Sequence, residues 1–130
     1  MPPKLEYIDH IHINVSNRVA SESWYRDYLG FVRDPAFEAW VTDKGPLTLV
    51  NSEGNIHLAL FERAEIQNTV IAFNVSAPGL VEWIKHLKFE GISVDPVDHD
   101  LSWSIYFRDL DGNPFEITTY EYSEFKNRNT

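Results

Sequence analysis

Cysteine is absent from the chain. That excludes disulfides, thiolate-bound zinc and thiol nucleophiles together, and it fits a cytoplasmic protein. Basic residues are scarce: 11 Lys and Arg stand against 20 Asp and Glu, for a formal net charge of −9. A basic surface for nucleic acid or anionic lipid is therefore not expected. The charge permits a cationic ligand or a metal, and equally serves solubility alone. No run of about 18 apolar residues is present to span a membrane, and Met1 to Glu6 does not read as a signal peptide. What is present is an apolar content of 43 % with 14 % aromatics, which excludes a disordered chain. The 130 residues point to one domain, 1–130, able to bury roughly two thirds of its unfolded surface.

Alternation marks the first strand. Tyr7, Asp9, Ile11, Ile13 and Val15 share one face, and Ile8, His10, His12 and Asn14 the other. Ser16-Asn17 offers an N-cap. Ala20, Trp24 and Tyr28, with Tyr25 and Leu29 alongside, define an amphipathic helix from about Arg18 to Leu29, ended by Gly30. Phe31 to Val41 is expected as a strand interrupted near Pro35. Strands over Leu47–Val50 and Ile56–Phe61 follow, separated by the turn Ser52 to Asn55.

After a polar linker, Glu62 to Asn68, the pattern restarts. Thr69 to Val75 is a strand. Pro78 suits a first helical turn, Leu80, Ile84 and Leu87 form a helical stripe, and Gly91 ends it. Ile92–Val97, Trp103–Phe107 and Phe115–Tyr120 read as strands, and the polar tail 121–130 is expected to fray. Module one thus spans about 6–62 and module two about 69–120. Their likeness is direct: Ile13-Asn14-Val15-Ser16 answers Phe73-Asn74-Val75-Ser76, and Gly54-Asn55 answers Gly112-Asn113. Two βαβββ units imply an α+β fold whose sheets form a cupped, half-open barrel around a cleft.

If helices cover the aliphatic faces, the opposite faces line that cleft. They carry His10, His12 and Asn14, then Val70, Ala72 and Asn74. The last strand of each module adds His57, Ala59 and Phe61, or Glu116, Thr118 and Tyr120. Glu116, flanked by Phe115 and Ile117, needs a partner if its face is buried. Imidazoles with one carboxylate make a ligand set suited to Fe, Mn, Ni or Zn. His12 reads as a further ligand, a substrate contact or a general base. Trp40, Trp103, Tyr106 and Tyr120 are candidates to line an aromatic pocket, with core or dimer packing as the alternative. His86 and His99 read as ordinary surface or core histidines.

Three stretches carry a family resemblance: Asp9 to Val15, Trp24 to Phe31 and Tyr106 to Ile117. Over about residues 6–120 the chain resembles the vicinal oxygen chelate superfamily, which includes glyoxalase I, extradiol dioxygenases, and fosfomycin- and bleomycin-resistance proteins. That resemblance implies two βαβββ modules and four metal-ligand positions. His10 falls on the first, His57 on the second and Glu116 on the fourth; the third falls on Val70, which cannot ligate. The implied metal set is His10, His57 and Glu116 with a divalent ion. His12 takes a catalytic role, and Asn14, Asn74, Trp103 and Tyr120 contact substrate.

Two functions follow. One is a metal-dependent lyase, isomerase or dioxygenase acting on a small molecule with adjacent oxygens. The other is a metal-free binding protein like the bleomycin-resistance branch. A homodimer is expected, because small duplicated sheets leave edges exposed.

Overall fold

The computed structural model describes residues 1–66 and 69–128. Gln67 and Asn68 of the polar linker, and the last two residues of the tail, lie outside the described residues. The chain divides into two compact units, Met1–Ile66 and Gln67–Thr130.

In the first unit, β1 (Ile11–Val15) runs parallel to β4 (His57–Glu62). β4 pairs antiparallel with β3 (Leu47–Val50), and β3 with β2 (Val32–Arg33), giving the order β1-β4-β3-β2. Ile13, Val15, Leu47, Leu49, Leu58 and Leu60 are buried, as alternation requires of one sheet face. Helix α1 (Arg18–Trp24) continues as a π-helical turn over Tyr25–Leu29 and brings Trp24, Tyr25 and Leu29 into this core. Asn17 is its N-cap, accepting from the Ala20 amide at 3.0 Å. Gly30 closes it in the left-handed region at φ 76°, where a side chain would be strained.

The second unit repeats the plan. β5 (Ile71–Asn74) is parallel to β8 (Pro114–Thr119), which pairs antiparallel with β7 (Trp103–Arg108). β7 in turn holds β6 (Val97–Asp98), for the order β5-β8-β7-β6. Helix α2 (Ala77–Phe89) starts at the Ser76 cap with Pro78 in its first turn, and it buries Ala77, Leu80 and Leu87. The α+β class and the two open four-stranded βαβββ sheets are as the sequence implied.

Four local expectations are corrected. The first strand begins at Ile11 rather than Tyr7, because Leu58 is the first residue of β4 to pair with it. Residues 35–40 form a 3₁₀ helix, not a strand: Asp34 caps it through the Ala36 amide and Pro35 fixes its first turn. From Ile92 to Pro96 no strand forms, and only Val97 and Asp98 pair with β7. The tail does not fray through 128. Tyr122–Arg128 is a helix, α3, with Phe125 fully buried and its ring 5.4 Å from Trp103. Among the described residues no helix is long and apolar enough to cross a membrane.

Candidate functional site

The first unit contains a pocket of about 110 Å³. His10, just before β1, His12 in β1, and His57 and Ala59 from β4 form one side of it. Phe37 and Trp40 of the 3₁₀ turn, with Asp9, Pro46 and Thr48, complete the lining. The pairing of β1 with β4 explains this gathering. His12 lies opposite Ala59, and His57 is two residues earlier on the same pleated face.

The imidazoles are connected. His10 Nδ1 is 2.8 Å from Asp9 Oδ2, and His10 Nε2 is 2.9 Å from His12 Nε2. With His10 donating from Nδ1 to the carboxylate, its Nε2 accepts from His12. The His10 and His12 rings stack at 4.8 Å, and His12 packs on Phe61 at 4.7 Å. His57 Nε2 is 3.3 Å from Asp34 Oδ2, and Phe37 meets the His57 ring edge-on at 6.1 Å. Each candidate imidazole donor therefore has an aspartate beside it. Sequence reasoning passed over Asp34 and Phe37; the Asp34-Pro35 cap-and-turn signal could have placed both.

Glu116 belongs to the second unit. The turn that precedes it is built on buried Asp109. Its Oδ1 accepts from the amides of Asp111 (2.9 Å) and Asn113 (2.8 Å), and its Oδ2 accepts from Asn113 Nδ2 (2.8 Å). β8 then pairs Glu116 with Ala72 on one side and Tyr106 on the other. The fully buried Ser104 hydroxyl donates to Glu116 Oε2 at 2.7 Å. Burial, and after it the charge of Glu116, push the Tyr106 phenol up; Tyr106 also lies 2.8 Å from His99 Nε2. So the carboxylate that lacked a partner in the sequence has one in Ser104.

The other candidates are distributed as follows. Asn14 lies on the His12 face of β1. Asn74 pairs with Thr118, on the Glu116 face of the second sheet. Tyr120 follows β8 and is 68 % exposed. Trp103 turns to the opposite face of β7 from Ser104 and stacks on Tyr122 at 5.7 Å, with its Nε1 buried and without a hydrogen-bond partner. Its contacts are those of a packing residue for α3.

The two sheets are not in the register suggested by matching Gly54-Asn55 to Gly112-Asn113. His12 and Ala72 are equivalent in the repeat. His12 pairs with Ala59, and Ala72 pairs with Glu116. The position equivalent to Glu116 is thus Ala59, with His57 one pleat away. Two imidazoles on one pocket wall suit a divalent ion in donor type, and an aspartate beside each is the arrangement that fixes tautomer and orientation in metal sites. They fall short in donor number. Among the described residues no group of three or more His, Asp or Glu could hold a metal ion, and Val70 offers none.

Two βαβββ units, each with its first and last strands paired in parallel, define the class of the fold. The profile of the Glyoxalase/Bleomycin resistance protein/Dioxygenase superfamily matches residues 7–117, and the chain belongs to that superfamily. It is 34 % identical over 119 residues to the metallothiol transferase FosB of Staphylococcus haemolyticus, covering 86 % of this chain and 82 % of that protein. A FosB of Staphylococcus epidermidis is 35 % identical over 122 residues, with the same coverage. Among solved structures, an integron cassette protein from the mobile metagenome of the Halifax Harbour sewage outfall superposes with TM-score 0.74 at 25 % identity, over 88 % of this chain and 99 % of that one. The fold is also that of a mutant of the fosfomycin-resistance protein FosX of Listeria monocytogenes, complexed with Mn(II) and 1S,2S-dihydroxypropylphosphonic acid. That match has TM-score 0.72 at 16 % identity and covers 93 % of this chain and 97 % of that chain.

Proposed function

We propose that the chain is a metal-dependent enzyme of this superfamily acting on a small molecule. His10 and His57 would be the imidazole donors of a divalent ion; Glu116 is proposed as the carboxylate donor from its place in the family pattern alone. The observation that carries the reading is one pocket lined by both imidazoles, each with an aspartate beside it. When bound, such an ion would supply Lewis acidity to a substrate oxygen. The protein's own residues supply the rest. Asp9 and Asp34 would orient His10 and His57, and His12 is proposed to move a proton of the substrate. The relatives named metallothiol transferases, at 34 % and 35 % identity, support a transfer reaction in preference to oxygen chemistry.

A second reading, a metal-free protein that binds a small molecule in the same pocket, is favoured by the missing third donor at Val70 and by Ala59 at the position equivalent to Glu116. Metal analysis of protein purified without chelator, alongside His57→Ala, separates the two. About one divalent ion per wild-type chain, lost in the variant, is expected. Substoichiometric metal in both, with no rescue by added Fe(II), Mn(II) or Zn(II), selects the second reading.

A further inference from the structure

We propose that the first-unit pocket takes a single planar aromatic ring without formal charge, a different class of ligand from the phosphonic acid bound by the Listeria protein. This rests on the reading that the pocket is the ligand site, and it concerns the metal-free pocket.

The first argument is shape. The 3₁₀ segment kinks at Phe37, and the Phe37 and Trp40 rings stack at 5.0 Å and 28°. Trp40 remains 56 % exposed, so an indole is presented at the pocket mouth. The shelf is held from below. A Cβ at Gly45 would run into the Trp40 carbonyl oxygen, and that oxygen accepts from the Thr42 amide at 2.9 Å. Edge-on Phe37 and His57 give the shelf a perpendicular wall. Offset and edge-to-face contacts of this kind are what a flat ring uses. The volume of about 110 Å³, open at the mouth, suits one ring: a closed apolar cavity of about 150 Å³ holds benzene.

The second argument is charge. An anion buried without a partner is costly, and the pocket lining contains no lysine or arginine. The neighbouring guanidinium groups are committed. Arg33 is bonded to Glu22 at 2.8 and 3.0 Å and to Glu38 at 2.7 Å. Arg18 donates to the Gly45 carbonyl at 2.8 Å, and Arg63 lies over Phe61, donating to the Glu62 carbonyl. The carboxylates are committed as well, Asp9 to His10 and Asp34 to His57. An anionic ligand finds no cationic side chain in the lining, and a cationic one would share the Asp9 and Asp34 carboxylates with His10 and His57.

Titration calorimetry of the full chain after chelator treatment tests this with four probes: benzyl alcohol, cyclohexylmethanol, phenylphosphonate and benzyltrimethylammonium. Benzyl alcohol is expected to bind at least about tenfold tighter than either ion, and several-fold tighter than its saturated analogue, because aromatic contacts add to area burial. Trp40→Ala, at an exposed position with little cost to folding, should weaken benzyl alcohol about fivefold. Phenylphosphonate or benzyltrimethylammonium binding as tightly as benzyl alcohol, equal binding of cyclohexylmethanol, an unaltered affinity in Trp40→Ala, or no binding of benzyl alcohol at about 10 mM would each overturn the proposal. Because metal is removed beforehand, failure to retain a metal ion leaves this result unaffected.

Discussion

Phe125→Ala is the perturbation whose size follows most directly from the packing. Helix α3 has seven residues, well below the length of about 12–15 at which an isolated helix becomes marginal in water. It exists because Phe125 is fully buried, with Trp103 at 5.4 Å, and because Tyr122 stacks on the same indole at 5.7 Å. A buried phenylalanine withdraws about 150–250 Å² from water. At about 25 cal/mol/Å² the removal of most of that area costs on the order of 3–5 kcal/mol, which matches the usual range for Phe→Ala in cores. Detachment of α3 would relieve the cavity, so the lower end, about 3 kcal/mol, is expected. With a urea slope of about 1–3 kcal/mol/M, the midpoint should fall by roughly 1–3 M, read by Trp fluorescence because Trp103 reports on the contact. A shift below about 0.3 M would mean that α3 does not hold the second sheet as described.

Other consequences follow from single hydrogen bonds. Asp109→Ala strips an acceptor from two backbone amides and one side-chain amide in the β7–β8 turn and should cost about 2–3 kcal/mol, measured by the same unfolding titration; Asp109→Asn should recover part of it. Asn17→Ala removes the N-cap of α1 and should cost about 1 kcal/mol. The backbone amide of Asp100, and then the Tyr122 hydroxyl at 2.7 Å, hold the Asp98 carboxyl below the usual aspartate range. A lowered folded-state pKa stabilises the fold above the unfolded value near 3.8 and is lost as pH falls through the folded value. The same contact raises the Tyr122 phenol, whose contribution is complete below 10.0 and lost at higher pH. Tyr122→Phe should therefore flatten the acid limb of the stability profile below about pH 4, and an unchanged limb would count against the contact.

Much of the architecture was legible because period-two alternation survives in Ile11–Val15, Leu47–Val50 and Trp103–Arg108, and because the repeat was explicit around Asn14 and Asn74. Where the reading failed, pairing was the cause. Tyr7 to Asp9 alternate as a strand should, but β4 starts too late to lie opposite them. Residues 92–96 face the same lack of a partner. Phe37 and Trp40 carried a three-residue spacing that suits a 3₁₀ turn, and Tyr122 and Phe125 carried the same spacing in the tail. Of the candidate site, one pocket wall was legible. His10, His12 and His57 do line one pocket, yet a turn match at Gly54 and Gly112 could not reveal that the register slides His57 one pleat from the position equivalent to Glu116.

Whether the imidazoles of the first unit bind a divalent ion can be read directly from the magnetic resonance of added Mn(II). Electron spin-echo spectra of the Mn(II)-loaded chain, with ¹⁵N-labelled histidine, are expected to show coupling to two imidazole nitrogens, falling to one in either His57→Ala or His10→Ala. A spectrum of hydrated Mn(II) with no histidine coupling, unchanged by either substitution, would contradict the metal-dependent account.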